Sequence, residues 1–257
     1  MRILIIKTSS LGDVIHTLPA VSDAVASNPD IRFDWVVEEA FAEIPFLHPA
    51  VENVIPVAIR RWRKNLFTTW RSGEWKKFRK TLQSKRYDAV IDAQGLLKSA
   101  WLTRYCNKPV YGLDRGSVRE SVASLFYSNP VSVARDQHAV ERTRQLFAMA
   151  LGYELPQGTG QYGIDKDKLP RPGVEEPYAL FFHGTTWKTK HWPEASWRTL
   201  AELVAGFGVR VVLPWGNPAE KMRAEAIATL NHRALVLPRM GLTELTGWLS
   251  QACAVVA

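Results

Sequence analysis

The sequence predicts an α/β fold with parallel sheets in two domains, and three observations carry that prediction. Short apolar, β-branched runs alternate with segments whose apolar residues recur at helical spacing. Residues 155–177 interrupt the alternation with four prolines, four glycines and several charges, the composition of a linker. A second alternating series starts at Tyr178, and 257 residues leave room for both. The predicted boundaries are 1–155 for the first domain, 156–177 for the linker and 178–257 for the second domain.

Residues 3–6 read as a buried strand that Lys7-Thr8-Ser9-Ser10 breaks. Gly12-Asp13 then opens a helix on which Val14, Leu18, Val21 and Val25 share a face. Strands follow at 33–37 and 54–59, with a short helical or irregular piece at 41–47 between them. The strand at 54–59 runs directly into Arg60-Arg61-Trp62-Arg63-Lys64. Next come a basic helix at 74–84, a strand at 89–91, the turn Asp92-Ala93-Gln94-Gly95 and a helix from 96 to about 106. A strand at Val110-Tyr111 and helices at 118–126 and 138–151 complete the first series.

In the second series, a strand at 178–182 leads through His183-Gly184-Thr185-Thr186 into a helix that starts near Pro193-Glu194. A strand at 209–213, a helix from 218 to about 230, a strand at 234–237 and a helix at 242–252 follow. Ala254-Val255-Val256-Ala257 reads as the opening of one more buried strand. The second domain is therefore expected to be cut short at its carboxyl end.

Hydrophobic residues make up 46% and charged residues 23% of the chain, which is ordinary for a soluble globular protein. No apolar run approaches the length that spans a bilayer, and the amino terminus reads as a strand rather than a signal peptide. Cys106 and Cys253 lie far apart without metal-ligand spacing, which predicts a reducing, cytoplasmic setting and no disulfide framework. Charge is concentrated: residues 60–86 hold eleven Lys or Arg against the single acid Glu74, a net of +10 in a chain of formal charge +8. Trp62, Phe67, Trp70, Trp75 and Phe78 are interleaved with these cations. Either a solvated basic helix beside a loop or an anionic partner accounts for the segment. No helix-turn-helix, zinc-finger or RNP-like pattern accompanies the charge, so nucleic acid is not expected. Ten tryptophans together with the charge fit a membrane-resident anion better.

Asp13 sits where free backbone N–H groups at a helix start attract a carboxylate, and also at a strand's carboxyl end, where α/β sheets bind ligands. It is therefore a cap or a catalytic group. The first β–α turn offers Gly12 alone, without the glycine fingerprint of dinucleotide redox enzymes, and no Walker-type phosphate loop occurs. Asp165-Lys166-Asp167 has a metal-binding D-x-D form but lies in the polar linker and reads as solvated surface. The six histidines are scattered; His183 and His191 flank the second-domain turn, as ligands, donors or local hydrogen-bond partners. Two clusters stand out. One is Asp13 with the basic stretch that follows the strand at 54–59. The other is His183-Gly184-Thr185-Thr186 with Lys190, where hydroxyls, amides and one Lys at a helix start suit a pyrophosphate without a metal. Together they point to a cleft enzyme.

The strings KTSSLGDVIHTLPA, VIPVAIRRWRK, DAVIDAQGLLKSA, QHAVERTRQLFA and HGTTWKTKHWPEASWR resemble the lipopolysaccharide heptosyltransferases of glycosyltransferase family nine, and the likeness runs through essentially all 257 residues. The resemblance implies a GT-B fold of two Rossmann-like domains. It also implies inverting transfer of L-glycero-D-manno-heptose from ADP-heptose to the inner Kdo of Kdo2-lipid A, at the cytoplasmic face of a Gram-negative inner membrane. A relative that adds a later heptose is the alternative enzyme, and a naturally shortened chain would be an inactive module binding anionic lipid. By the same resemblance Asp13 matches the family's general base. Ser10, Arg60, Arg61, Arg63, Lys64 and Arg119 match acceptor-binding residues, and Thr185, Thr186, Lys190, Glu220 and Met240 match ADP-heptose contacts. No metal and no other cofactor is implied. The family's Asp-Thr-Gly-x-x-His donor motif follows a Val-Val that this chain reaches at Val255-Val256, and is absent from the 257 residues.

Overall fold

Ile3, Leu4, Ile5 and Ile6 are wholly buried, and the first half of the fold is stacked outward from them. The computed structural model describes residues 1–64, 71–106, 109–185, 188–229 and 231–257, which divide into two units, Met1–Asp165 and Lys166–Ala257. In the first unit six parallel strands lie in the order β3-β2-β1-β4-β5-β6. They are β1 (Arg2–Ile6), β2 (Arg32–Glu38), β3 (Val51–Val57), β4 (Ala89–Asp92), β5 (Val110–Leu113) and β6 (Asn129–Val131). The central strands β1 and β4 are buried on both faces, which is why their sequences read as unbroken apolar runs. The sheet reverses its strand order between β1 and β4, so the crevice outside their carboxyl ends is where a ligand fits.

Several elements differ from the sequence-based expectation, each for a local reason. The helix expected from Gly12 onward is two, α1 (Leu11–Ile15) and α2 (Leu18–Ser27). Pro19 has no N–H to give the Ile15 carbonyl, and α1 ends at Ile15. The third strand runs three residues earlier than expected and tolerates Pro56 because β3 is an edge strand. Arg60-Arg61-Trp62-Arg63-Lys64, to which the sequence assigns no element of their own, are helical, in α3 (Ile59–Lys64), held down by buried Trp62. Beyond α4 (Glu74–Ser84) and α5 (Leu97–Thr103), the helix expected at 118–126 is only a 3-10 helix over Ser121–Phe126. Asp114 caps the turn before it by accepting from the Ser117 amide. The edge strand β6 went unexpected because Asn129-Pro130 reads as a turn. The long helix α6 (Ala139–Leu151) packs on α2.

Part of the proline- and glycine-rich stretch is fastened to this unit. Arg144 of α6 donates to the carbonyls of Pro156 and Gly158, each at 2.8 Å. A Cβ on Gly163 would stand 2.4 Å from His48 Nε2, so only glycine lets the chain close over that ring. His48 is 3% exposed, accepts from the Ala50 amide at Nδ1 and meets Ser22 Oγ through Nε2. Burial pushes its pKa down to about 4. The unfolded chain, with an ordinary value of 6.5, therefore binds the proton first as pH falls. The contribution of His48 is complete above the ordinary value and is lost towards the folded one, roughly 3 kcal/mol in all. Urea melts on either side of that window should show the loss, and His48→Asn should lack most of it. Parallel losses in both proteins would exonerate His48.

The second unit repeats the pattern in a sheet of order β10-β7-β8-β9, all parallel. Its strands are β7 (Tyr178–Phe181), β8 (Arg210–Leu213), β9 (Ala234–Val236) and β10 (Ala254–Val256). Its helices are α7 (Glu194–Gly206), α8 (Pro218–Ala228) and α9 (Leu242–Gln251). Alternate residues of β7 and β8 face opposite layers. Ala179, Phe181, Val211 and Leu213 pack with Trp197 and Ile227, while Tyr178, Leu180 and Val212 pack with Leu237 and Trp248.

Candidate active site

The crevice at the β1/β4 reversal is assembled by a residue distant in sequence. Gln94 Oε1, after β4, accepts from the Thr8 amide at 2.9 Å and the Ser9 amide at 3.0 Å, after β1. Its own turn is fixed from below by Asp92. That carboxylate is wholly buried and accepts from the amides of Gln94 and Gly95 and the hydroxyls of Ser99 and Tyr127. Burial raises the Asp92 pKa, against those four donors. Thr8 and Ser9 are themselves buried, so Gln94→Leu would strand two amides. The expected cost is about 1–3 kcal/mol, measurable by urea denaturation. A variant as stable as its parent would show that those amides find other partners.

On this platform α1 presents Asp13. The Ser10 amide and the Ser10 hydroxyl both donate to Asp13 Oδ2 at 2.8 Å, half of a capping box. Oδ1 accepts nothing from the described residues. Asp13 is half-buried and lines a cleft of about 160 Å³ with Lys7, Gln94, Arg119 and Arg142. The sequence offers Asp13 as a cap or a catalytic group; the side chain binds the Ser10 amide as a cap does and also lines the cleft. Burial pushes its pKa up, but the two Ser10 hydrogen bonds, Lys7 and His16 outweigh that and hold it below the usual carboxylate value. Burial lowers the pKa of Lys7, while Asp13 and Asp92 pull the other way; its ammonium donates to the Ala93 carbonyl at 2.8 Å.

The cations of α3 divide into two kinds. Arg61 is engaged, bridging Glu39 at 3.1 Å and Glu74 at 2.9 Å. Arg60, Arg63 and Lys64 are exposed and pair with no carboxylate among the described residues. The Arg60 amide donates to Glu38, whose pKa burial raises. Lys98 links this helix to the crevice: its Nζ donates to Ser9 Oγ at 3.1 Å, and burial with the charges of Arg60 and Arg63 lowers its pKa. Phe67 and Trp70 of the predicted basic, aromatic stretch lie outside the described residues.

In the second unit Thr185 and Lys190 follow β7, and the Thr185 carbonyl meets His191 Nε2 at 2.8 Å. Thr186 lies outside the described residues. Glu220 starts α8, where Asn217 caps its amide and Glu220 accepts from the Gly216 amide at 2.7 Å. It lies against Gly184, where a Cβ would stand 2.9 Å from Glu220 Cγ, so Glu220 and the loop after β7 are brought together. Met240 is partly buried against the cluster of Tyr178, Leu180, Val212 and Leu237. His183 is 3% exposed, and burial with Arg223 nearby lowers its pKa. Lys7, Gln94, Lys98 and Arg142 were not singled out from the sequence. For Lys7 the signal was available, as the first polar residue after the central strand.

Residues 75–257 match the family described as glycosyltransferase family 9 (heptosyltransferase). Lipopolysaccharide heptosyltransferase 1 of Pseudomonas aeruginosa is 60% identical over 258 residues, covering all of this chain and 73% of that protein. The E. coli heptosyltransferase WaaC solved with ADP superposes with a TM-score of 0.95 at 52% identity, over 99% of this chain and 80% of that one. The same enzyme solved with ADP-2-deoxy-2-fluoro heptose gives a TM-score of 0.94 at 52% identity, over 99% of this chain and 82% of that one.

Proposed function

We infer the function from one premise: this chain belongs to glycosyltransferase family 9, the heptosyltransferases. It moves L-glycero-D-manno-heptose from ADP-heptose to the inner Kdo of Kdo2-lipid A, with inversion, at the cytoplasmic face of an inner membrane. The observation that carries the reading is Asp13, an ionised carboxylate with an uncommitted oxygen in a cleft ringed by Lys7, Arg119 and Arg142. The ADP and ADP-2-deoxy-2-fluoro heptose complexes of the E. coli relative support the donor.

In this reading Asp13 takes the proton of the attacking Kdo hydroxyl as that oxygen closes on the anomeric carbon. The sugar passes through an oxocarbenium-like transition state while negative charge gathers on the departing ADP. Lys190, the amides near Thr185 and Thr186, Glu220 and Met240 hold the donor, and the lysine stabilises the leaving diphosphate without a metal. Arg60, Arg63, Lys64 and Arg119 hold the acceptor's carboxylates and phosphates, where guanidinium offers a two-pronged fit, and Ser10, whose amide and hydroxyl hydrogens go to Asp13, accepts from an acceptor hydroxyl. Arg61, committed to two acids, serves that group by fixing α3. The basic, Trp-containing segment rests on the anionic membrane surface.

The test offers ADP-heptose with either Kdo2-lipid A or an acceptor already carrying one heptose, with products weighed by mass spectrometry. Heptose addition to Kdo2-lipid A is expected. Addition to the heptosylated acceptor alone would place the chain at a later step, and addition to neither would sink the reading.

A further inference from the structure

A groove of about 910 Å³ opens between α3, α4 and α5, and its walls are almost wholly apolar, among them Trp62, Trp75, Leu97, Trp101 and Phe126. That volume lies within the ~300–1,000 Å³ usual for ligand sites. Leu97 and Trp101 are each 44% exposed. Single exposed apolar residues are ordinary, but a concave apolar surface of this extent is not.

We propose that this groove takes one fatty-acyl tail of an anionic phospholipid at a membrane surface. The inference deepens the membrane-surface part of the function proposed above and rests on that part alone.

The groove's chemistry selects a tail over a peptide. The Trp62 indole N–H, which a peptide could have used, is turned away to Glu74 at 2.7 Å. Glu120, the acid on the lining, accepts from the Leu97 amide at 2.7 Å. A backbone laid there would lose its hydrogen bonds to water, whereas a hydrocarbon loses none. The rim selects the headgroup: Arg63 and Lys98 border the apolar walls, and the Arg104 guanidinium stacks 4.6 Å above the Trp101 ring. A second copy of this chain would bring its own basic segment against these cations, and repulsion disfavours it. The groove also adjoins the crevice through Lys98 and Ser9, as suits an enzyme whose acceptor is held in the same bilayer.

The full chain is to be mixed with phosphatidylcholine vesicles, with or without phosphatidylglycerol, and with phosphatidylglycerol brominated along its acyl chains, which quenches indoles in contact with the tail. Binding to the anionic vesicles alone is expected, with tryptophan quenching that Trp101→Phe reduces. Leu97→Asp should weaken vesicle binding about tenfold. It should leave transfer to a deacylated, water-soluble acceptor unchanged, since Leu97 lines the groove and not the cleft of Asp13. Arg104→Ala should weaken binding about fivefold. Vesicle binding that Leu97→Asp leaves intact, or binding without quenching by the brominated tails, overturns the proposal. So does a dimer in solution that Leu97→Asp disrupts while vesicles go unbound. Quenching that persists while no acceptor receives heptose would keep the groove's occupant and remove the proposed reaction.

Discussion

Asp13→Asn is expected to lower heptosyl transfer by about 10²–10⁴, the range a lost general base commands. The fold should survive, because an asparagine oxygen still accepts from the Ser10 amide that now meets Oδ2 at 2.8 Å. ADP affinity should hardly change, since the donor contacts proposed here all come from Lys166–Ala257, a different unit from Asp13. Single-turnover transfer and calorimetric ADP binding, measured on the same protein, separate the two effects. Normal turnover would remove Asp13 from the base role, and joint loss of turnover and ADP binding would point to misfolding. The pH profile supplies a second check. Against burial, Ser10 and Lys7 hold the folded pKa below the ordinary aspartate value, so the protonation that removes the base is displaced to lower pH. An acid limb of kcat/KM assigned to Asp13 should therefore lie lower than an ordinary aspartate would place it.

Arg144→Leu is expected to cost about 3–5 kcal/mol of stability, the usual consequence of stranding one partner of a buried ion pair. Arg144 is 1% exposed and donates to Asp23 at 2.6 Å, to Glu141 at 3.0 Å and to the carbonyls of Pro156 and Gly158. Without it the buried Asp23 carboxylate has no counter-charge, and two carbonyls lose their donor. Packing around the guanidinium is tight, since a Cβ on Gly160 would stand 3.0 Å from Arg144 Cδ. Urea denaturation gives the loss. The double variant Asp23→Leu with Arg144→Leu should recover much of it, because the charge left without a partner, Glu141, is partly exposed. A single variant within about 1 kcal/mol of the parent would show that water reaches Asp23.

The two predictions differ in how far the sequence foretold them. Asp13 was legible because its setting is local: a buried strand, a break and a helix start within thirteen residues place a carboxylate at the strand's carboxyl end. The strands β1 and β4 were legible for the same reason, their burial being written as apolar runs. Arg144 was not, because a cation in an amphipathic helix looks solvated until the tertiary fold brings Asp23 to it across 121 positions. Gln94 and Arg142 were hidden likewise. Gln94 reaches the crevice because the sheet order sets β1 beside β4, and Arg142 because α6 packs on α2; no local pattern encodes either arrangement. The helical state of Arg60-Arg61-Trp62-Arg63-Lys64 was missed since five residues are too few to show a period. What decides it is Trp62, which buries its ring against Trp75 and Phe78.

The ladder from Tyr127 through Asp92 and Gln94 to the amides of Thr8 and Ser9 runs from the interior to within one residue of the Ser10 cap. Its members are ordered by folding itself, before any sugar arrives. In the proposed reaction an incoming hydroxyl would therefore meet a carboxylate already aimed, with little motional freedom left to quench on arrival. The chemical step should then vary with temperature much as a rigid-body encounter does, without a separate organising phase in pre-steady-state traces.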